Sequence, residues 1–248
     1  RGEDAGRAVR DALDIGYRHI DTAQMYRNET GVGAGIVASG IDRSEIFLTT
    51  KVDNDAHEPD ELVASVEQSL EQLKTDYVDL LLIHWPVHYD RIAATMAALA
   101  NVHASGAAHH IGVSNFTVDQ LDEVSAMAPL EVLQVECHPF FQQRQLRDWC
   151  EANDWAFTAY SPVAQGQVFE SDDLESIASQ AGCSAGQLAL AWLIAQRGVT
   201  AIPRTSDPEH LRNNFAATSL SLDEDVLHAV DQLDTGRRLV NPDFAPWS

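Results

Sequence analysis

Cysteine is scarce in this 248-residue sequence: Cys137, Cys150 and Cys183 are the only three, and no pair has the C-x-x-C spacing. An odd, scattered set argues against a disulfide framework and a thiolate zinc site, and fits reduced thiols in a cytoplasm. Lysine is scarcer still. Lys51 and Lys74 are the only two among 16 cationic side chains, against 38 Asp and Glu and a formal net charge of −22. Repulsion over most of such a surface argues against a nucleic-acid or anionic-membrane partner. It also suits a high-salt cytoplasm, where a Debye length of about 3 Å at 1 M suppresses self-repulsion, so a halophilic origin is expected. Long apolar runs are lacking too: a stretch such as 188–195 falls well short of the roughly 20 residues of a membrane span. With no signal-peptide pattern in view, a soluble cytoplasmic protein is expected.

What is present is a regular alternation of short β-branched apolar segments with helix-period segments, the pattern of βα units around a parallel sheet. Strands are expected at 19–22, 46–52, 78–84, 111–114, 132–136, 156–160 and 200–203. Amphipathic stretches at 60–73, 117–126, 145–152, 173–197 and 208–217 lie between them, and the sequence opens in a helix-like segment, 3–13. Thr117-Val118-Asp119-Gln120 has the capping-box form, and Asp207-Pro208 sets a cap residue before an N1 proline. No low-complexity linker divides the chain, so a single domain over 1–248 is expected, at a length common for α/β barrels.

A parallel barrel carries its chemistry at the C-terminal ends of its strands. Asp21 ends His19-Ile20-Asp21, with Tyr26 a short loop later; Lys51 closes Phe47-Leu48-Thr49-Thr50, and His84 closes Leu80-Leu81-Leu82-Ile83. Ser114, Asn115, Gln134, Glu136 and Tyr160 stand at or beside later strand ends. Singly, each has a plain structural reading: a helix cap, a solvated strand end, a satisfied core histidine, a packed tyrosine. Jointly, an acid, a tyrosine, a lysine and a histidine at one barrel mouth suggest protonation of a developing alkoxide. A phenol is a weak acid at neutral pH, and a nearby ammonium stabilises its phenolate. Lys51 can serve Tyr26 in that way, Asp21 can hold the lysine, and His84 can hydrogen-bond a substrate carbonyl.

These residues lie in motifs whose series resembles the aldo-keto reductases: GYRHIDTAQMYRNE (16–29), Lys51, LLIHWP (81–86), IGVSNF (111–116), QVECHP (134–139), AYSPV (159–163) and IPRT (202–205), in that order. The resemblance spans essentially the whole chain. It implies an α/β fold, a (β/α)8 TIM barrel, and hydride transfer from NADP(H), with NAD(H) as the alternative, to an aldehyde or ketone. It makes Asp21, Tyr26, Lys51 and His84 a catalytic tetrad, sets Ser114, Asn115 and Gln134 on the nicotinamide carboxamide, and stacks Tyr160 on its ring. Ser161 and Val163 would lie by the pyrophosphate, and Asn214 by the adenine. Arg204, Thr205, His210 and Asn213 match the clamp on the adenosine 2′-phosphate, with His210 replacing the family's usual arginine and Asn213 its usual acid.

The short tail after Asp234 and the short loop after Tyr160 are similar to those of small microbial reductases of 2,5-diketogluconate and mixed aldehydes. Met25, Trp85, Phe116 and Trp247 are candidates for an apolar substrate wall, with ordinary packing as the competing reading. A monomer acting on a small carbonyl compound is expected. The family's N-terminal hairpin and first strand have no counterpart here, so seven strands are expected. No metal site is expected: His84, His88, His109 and His110 fit no standard ligand spacing. A Schiff base on Lys51 is a further alternative, which a neighbouring aspartate that keeps the lysine charged opposes. The rival of a different class is a non-catalytic barrel subunit that senses nicotinamide nucleotides, marked by tight binding without turnover.

Overall fold

The β-branched and leucine-rich runs become strands, and the segments between them helices, in the computed structural model, which describes residues 2–247. Two compact units emerge: Arg1–Leu133 with Ser206–Pro208 and Phe244–Ser248, and Gln134–Thr205 with Glu209–Asp243.

The first unit runs α1 (Gly2–Ile15), β1 (His19–Asp21), α2 (Glu29–Ser39), β2 (Phe47–Val52), α3 (Pro59–Leu73), β3 (Val78–Ile83), α4 (Ile92–Ala104), β4 (Ala108–Ser114) and α5 (Val118–Val124). β1 to β4 form consecutive parallel ladders, with Asp21 opposite Thr49, Lys51 opposite Leu82 and Leu82 opposite Gly112. Side chains alternate along a strand, so this register sends Asp21, Thr49, Lys51, Leu82 and His84 to one face. Three of the four tetrad candidates therefore meet at strand ends as a consequence of register. β3 is buried at Val78 and from Leu80 to Ile83, as befits a strand covered on both faces. Glycine allows α1 and α2 to touch: a Cβ on Gly6 would stand 2.8 Å from the Gly31 carbonyl. The capping box at Thr117 and Gln120 forms in both directions.

β5 (Val132–Glu136) begins in the first unit and ends in the second. The second unit continues with α6 (Arg144–Ala152), β6 (Ala156–Tyr160), α7 (Asp172–Gln180), α8 (Ala185–Ile194), β7 (Val199–Ile202), α9 (Pro208–Ala216) and α10 (Glu224–Asp231). β6 and β7 are parallel, Tyr160 standing opposite Ile202. The single amphipathic stretch expected over 173–197 is instead two helices. Gly182 takes a left-handed φ of 71°, and Ser184 opens α8 with its own capping box to Gln187. α8 is buried along nearly its whole length, as a helix apolar all round must be. Among the described residues no single helix is long and apolar enough to cross a membrane.

Candidate active site

The site in the first unit is built from the ends of β1, β2 and β3. Lys51 is 1% exposed, so its ammonium needs partners: it pairs with the Asp21 carboxylate and donates to the Thr22 carbonyl at 2.8 Å. A buried cation without such partners would cost several kcal/mol, on the order of 3–5. Thr22 is held in turn, its hydroxyl donating to Asn28 Oδ1 at 2.8 Å.

Tyr26 stands on a single 3-10 turn, Gln24–Tyr26, closed by a left-handed Arg27 (φ 51°). Its side chain is 48% exposed, whereas the groups around it are buried. The Lys51 ammonium lies over its ring, 5.2 Å from the centroid, and the His84 ring meets it edge-on at 5.7 Å. His84 is buried, and burial first, then the Lys51 charge, pushes its pKa down to about 3. It is therefore neutral at physiological pH, and its buried Nδ1 has no hydrogen-bond partner. The structure thus brings together all four tetrad candidates.

Trp85 follows His84 and stacks near it at 6.4 Å; Phe244 meets Trp85 edge-on at 5.3 Å, and Trp247 is tilted against it at 5.7 Å. Met25 is half-buried beside Tyr26 in the sequence. Phe116, by contrast, is fully buried and packs 6.4 Å from Tyr89, so it offers no surface to a ligand here. Phe244 was not singled out by sequence; its only signal there is an aromatic in a short tail. Ser114 and Asn115, both buried, end β4, and Asn115 Nδ2 donates to the His84 carbonyl and to Ser114 Oγ, both at 3.0 Å. Asn115 takes a left-handed φ of 66°.

In the second unit Gln134 is buried on β5, and Tyr160 is half-buried at the end of β6. The loop after it carries left-handed backbone at Ser161, Ala164, Gln165 and Gly166, whereas Val163 between them has a φ of −102°. Left-handed non-glycine residues cost about 1–3 kcal/mol each and gather where a ligand is clamped. Beyond β7, Arg204, His210 and Asn213 are exposed, and Thr205 and Asn214 half-buried. The Asn213 carbonyl accepts from Gln187 Nε2 at 3.2 Å. Glu136, fully buried at the end of β5, accepts the backbone N–H groups of Leu239 at 2.7 Å and Val240 at 2.8 Å, fastening the tail, and lies 3.0 Å from His138 Nε2. Among the described residues no group of three His, Cys, Asp or Glu side chains could hold a metal ion.

Residues 2–235 match the model of the aldo/keto reductase family. The chain is 39% identical to the glyoxal reductase of Bacillus subtilis, over 98% of this chain and 88% of that protein. It is 36% identical to the methylglyoxal reductase DkgB of Salmonella typhimurium, over 95% and 90%. Among solved structures, a putative 2,5-diketo-D-gluconic acid reductase B superposes with a TM-score of 0.95 at 38% identity, covering 99% of this chain and 88% of that one. The fold is accordingly of the (β/α)8 barrel class, with seven strands among the described residues. From this agreement in sequence and fold, the chain is an oxidoreductase that belongs to the aldo/keto reductase family.

Proposed function

We propose that this protein reduces small aldehydes and ketones to alcohols with NADPH, or with NADH as the alternative donor, and that Tyr26 supplies the proton. The carrying observation is the half-exposed Tyr26 ring flanked by a buried, ion-paired Lys51 and a neutral His84. The reduced nicotinamide, when bound, supplies the hydride. Tyr26 donates its hydroxyl proton to the carbonyl oxygen, and the phenolate left behind is stabilised by the Lys51 ammonium. Asp21 and the Thr22 carbonyl hold and direct that ammonium. His84, neutral because of burial and Lys51, can hydrogen-bond the substrate oxygen without adding a competing positive charge.

The residues present fit a nicotinamide nucleotide. Ser114 and Asn115, at the end of β4, and Gln134, within β5, are buried hydroxyl and amide groups suited to a carboxamide, and Tyr160 offers a half-buried ring for stacking. The loop from Ser161 through Gly166, left-handed at Ser161, Ala164, Gln165 and Gly166, has the backbone type of anion-binding concavities and would set Ser161 and Val163 by the pyrophosphate. The exposed Arg204, with Thr205, His210 and Asn213, suits a phosphate, and Asn214 an adenine. Small dicarbonyls are the proposed substrate class, supported by relatives named for glyoxal and methylglyoxal and by the closely packed Trp85, Phe244 and Trp247. The charge of −22 supports work in a saline cytoplasm.

The test is oxidation of NADPH and NADH by methylglyoxal in molar potassium chloride, with the parent and with Tyr26→Phe. A positioned general acid is worth about 10²–10⁴-fold, so that loss in kcat is expected with cofactor affinity unchanged. Undiminished turnover in Tyr26→Phe would remove Tyr26 from the acid role.

A further inference from the structure

None of the three residues in the turn carrying Tyr26 is buried, so core packing does not set where the phenol stands. We propose that Gln24 is a positioning residue: its side-chain amide ties this turn to α3 and to the segment just after β2, and so sets Tyr26 against Lys51. The inference rests on the reading of Tyr26 as the proton donor.

Gln24 Oε1 accepts the backbone N–H of Asp53 at 2.8 Å, two residues beyond Lys51. A backbone N–H can only donate, so this contact fixes which end of the amide is oxygen. The other end, Nε2, donates to Ser65 Oγ at 3.1 Å and to Ser69 Oγ at 3.0 Å, both on α3. Each serine hydroxyl has one proton and directs it elsewhere: Ser65 to the Leu62 carbonyl at 2.8 Å, Ser69 to Glu29 Oε2 at 3.1 Å. Towards Gln24 both can only accept. Glu29, buried on α2, completes the network by accepting from Thr50 Oγ1 at 2.6 Å, next to Lys51 in β2. Burial raises the Glu29 pKa, and the two hydroxyl donors work against that rise. Donor and lysine, on separate segments, are thus joined by one directional network whose link to the turn is Gln24.

Two variants test this by different routes. Gln24→Glu keeps the size and the acceptor for Asp53 but faces two hydroxyls with an acceptor where a donor stood. Ser65→Ala with Ser69→Ala removes the anchor on α3 and leaves the turn itself unaltered, which keeps the test open should the first variant fold poorly. Misplacement by about 1 Å can cost up to roughly 10²-fold, so a fall in kcat of about 10-fold is expected, with the Kd for NADPH unchanged. Because proton transfer from Tyr26 becomes the slow step, the solvent deuterium isotope effect on kcat should rise. A merely structural role lowers the active fraction and leaves that isotope effect where it was; such a result, or parental kcat in both variants, overturns the proposal. Tyr26→Phe in the same series separates the two failures. Retained turnover there indicts the donor assignment, whereas lost turnover beside parental Gln24 variants indicts the positioning role alone.

Discussion

The two units differ in how they treat charge. The first buries it: Lys51 and Asp21 form an ion pair with Lys51 almost fully enclosed, Glu29 is buried between two hydroxyl donors, and His19, His57 and His84 have their pKa values lowered, chiefly by burial. The second leaves Arg204, His210 and Asn213 exposed beside β7 and on α9, and uses its buried carboxylate, Glu136, to hold backbone N–H groups of the tail. Proton transfer needs groups whose charge is set by their surroundings, through burial or a neighbouring charge, and the exposed Tyr26 is flanked by the buried Lys51 and His84. Holding a polyanion needs accessible donors. On the function proposed above, one unit has the electrostatics of a reaction centre and the other those of a grip.

The sharpest way to break this contrast is at the buried pair. Asp21→Asn leaves the Lys51 ammonium enclosed with the Thr22 carbonyl and without its counter-charge, and removing one partner of a buried ion pair typically costs about 3–5 kcal/mol. Urea unfolding should register a loss of that order together with lost turnover. Parental stability would mean that water reaches the pair, and the reaction-centre description of this unit would fall.

In the second unit the expected effect is smaller and selective. Arg204→Ala removes an exposed guanidinium, and a charge-assisted hydrogen bond is worth about 1.5–3 kcal/mol, or roughly 10–100-fold in affinity. The Kd for NADPH should rise by that factor, with that for NADH nearly unchanged, as followed by fluorescence titration. Equal losses for both nucleotides would show that Arg204 does not read the 2′-phosphate.

Much of the first unit was legible because its chemistry interrupts apolar strands: Lys51 after Leu48-Thr49-Thr50, His84 after Leu80-Leu81-Leu82-Ile83. Residues at strand ends keep their meaning locally, and parallel register then brings them together. Gln24 was not legible, because its role depends on serines 41 and 45 residues away whose spacing reads as an ordinary helix face. α2, with Gly31, Gly33 and Gly35, has weak helix propensity and no amphipathic stripe; close contact with α1 at Gly6 explains it better than local sequence does. The break between α7 and α8 had a signal in Gly182 and Ser184, masked by apolar periodicity that runs through both helices. Phe116, a candidate for the substrate wall with ordinary packing as the competing reading, is fully buried, and an aromatic after a strand end has the same sequence signature in either place.

The gentlest test of the contrast is acidity. At His84 the folded pKa is pushed down to about 3, while the unfolded imidazole titrates near 6.5. Between those values the unfolded chain binds the extra proton, so stability contributed by neutral His84 is full above about pH 6.5 and is lost as pH falls towards 3, by at most about 1.4 kcal/mol per pH unit. His19 and His57 act in the same direction, and Glu29, whose pKa burial raises, acts in the opposite one. Urea midpoints of the parent should therefore fall from pH 7 to pH 5, and His84→Gln, which has nothing to titrate, should fall less steeply. Equal slopes would mean that His84 protonates as an ordinary surface imidazole. A neutral hydrogen-bonding role beside Tyr26 would then hold only above about pH 6.5, because below it a charged imidazole there would compete with Lys51 for the phenolate.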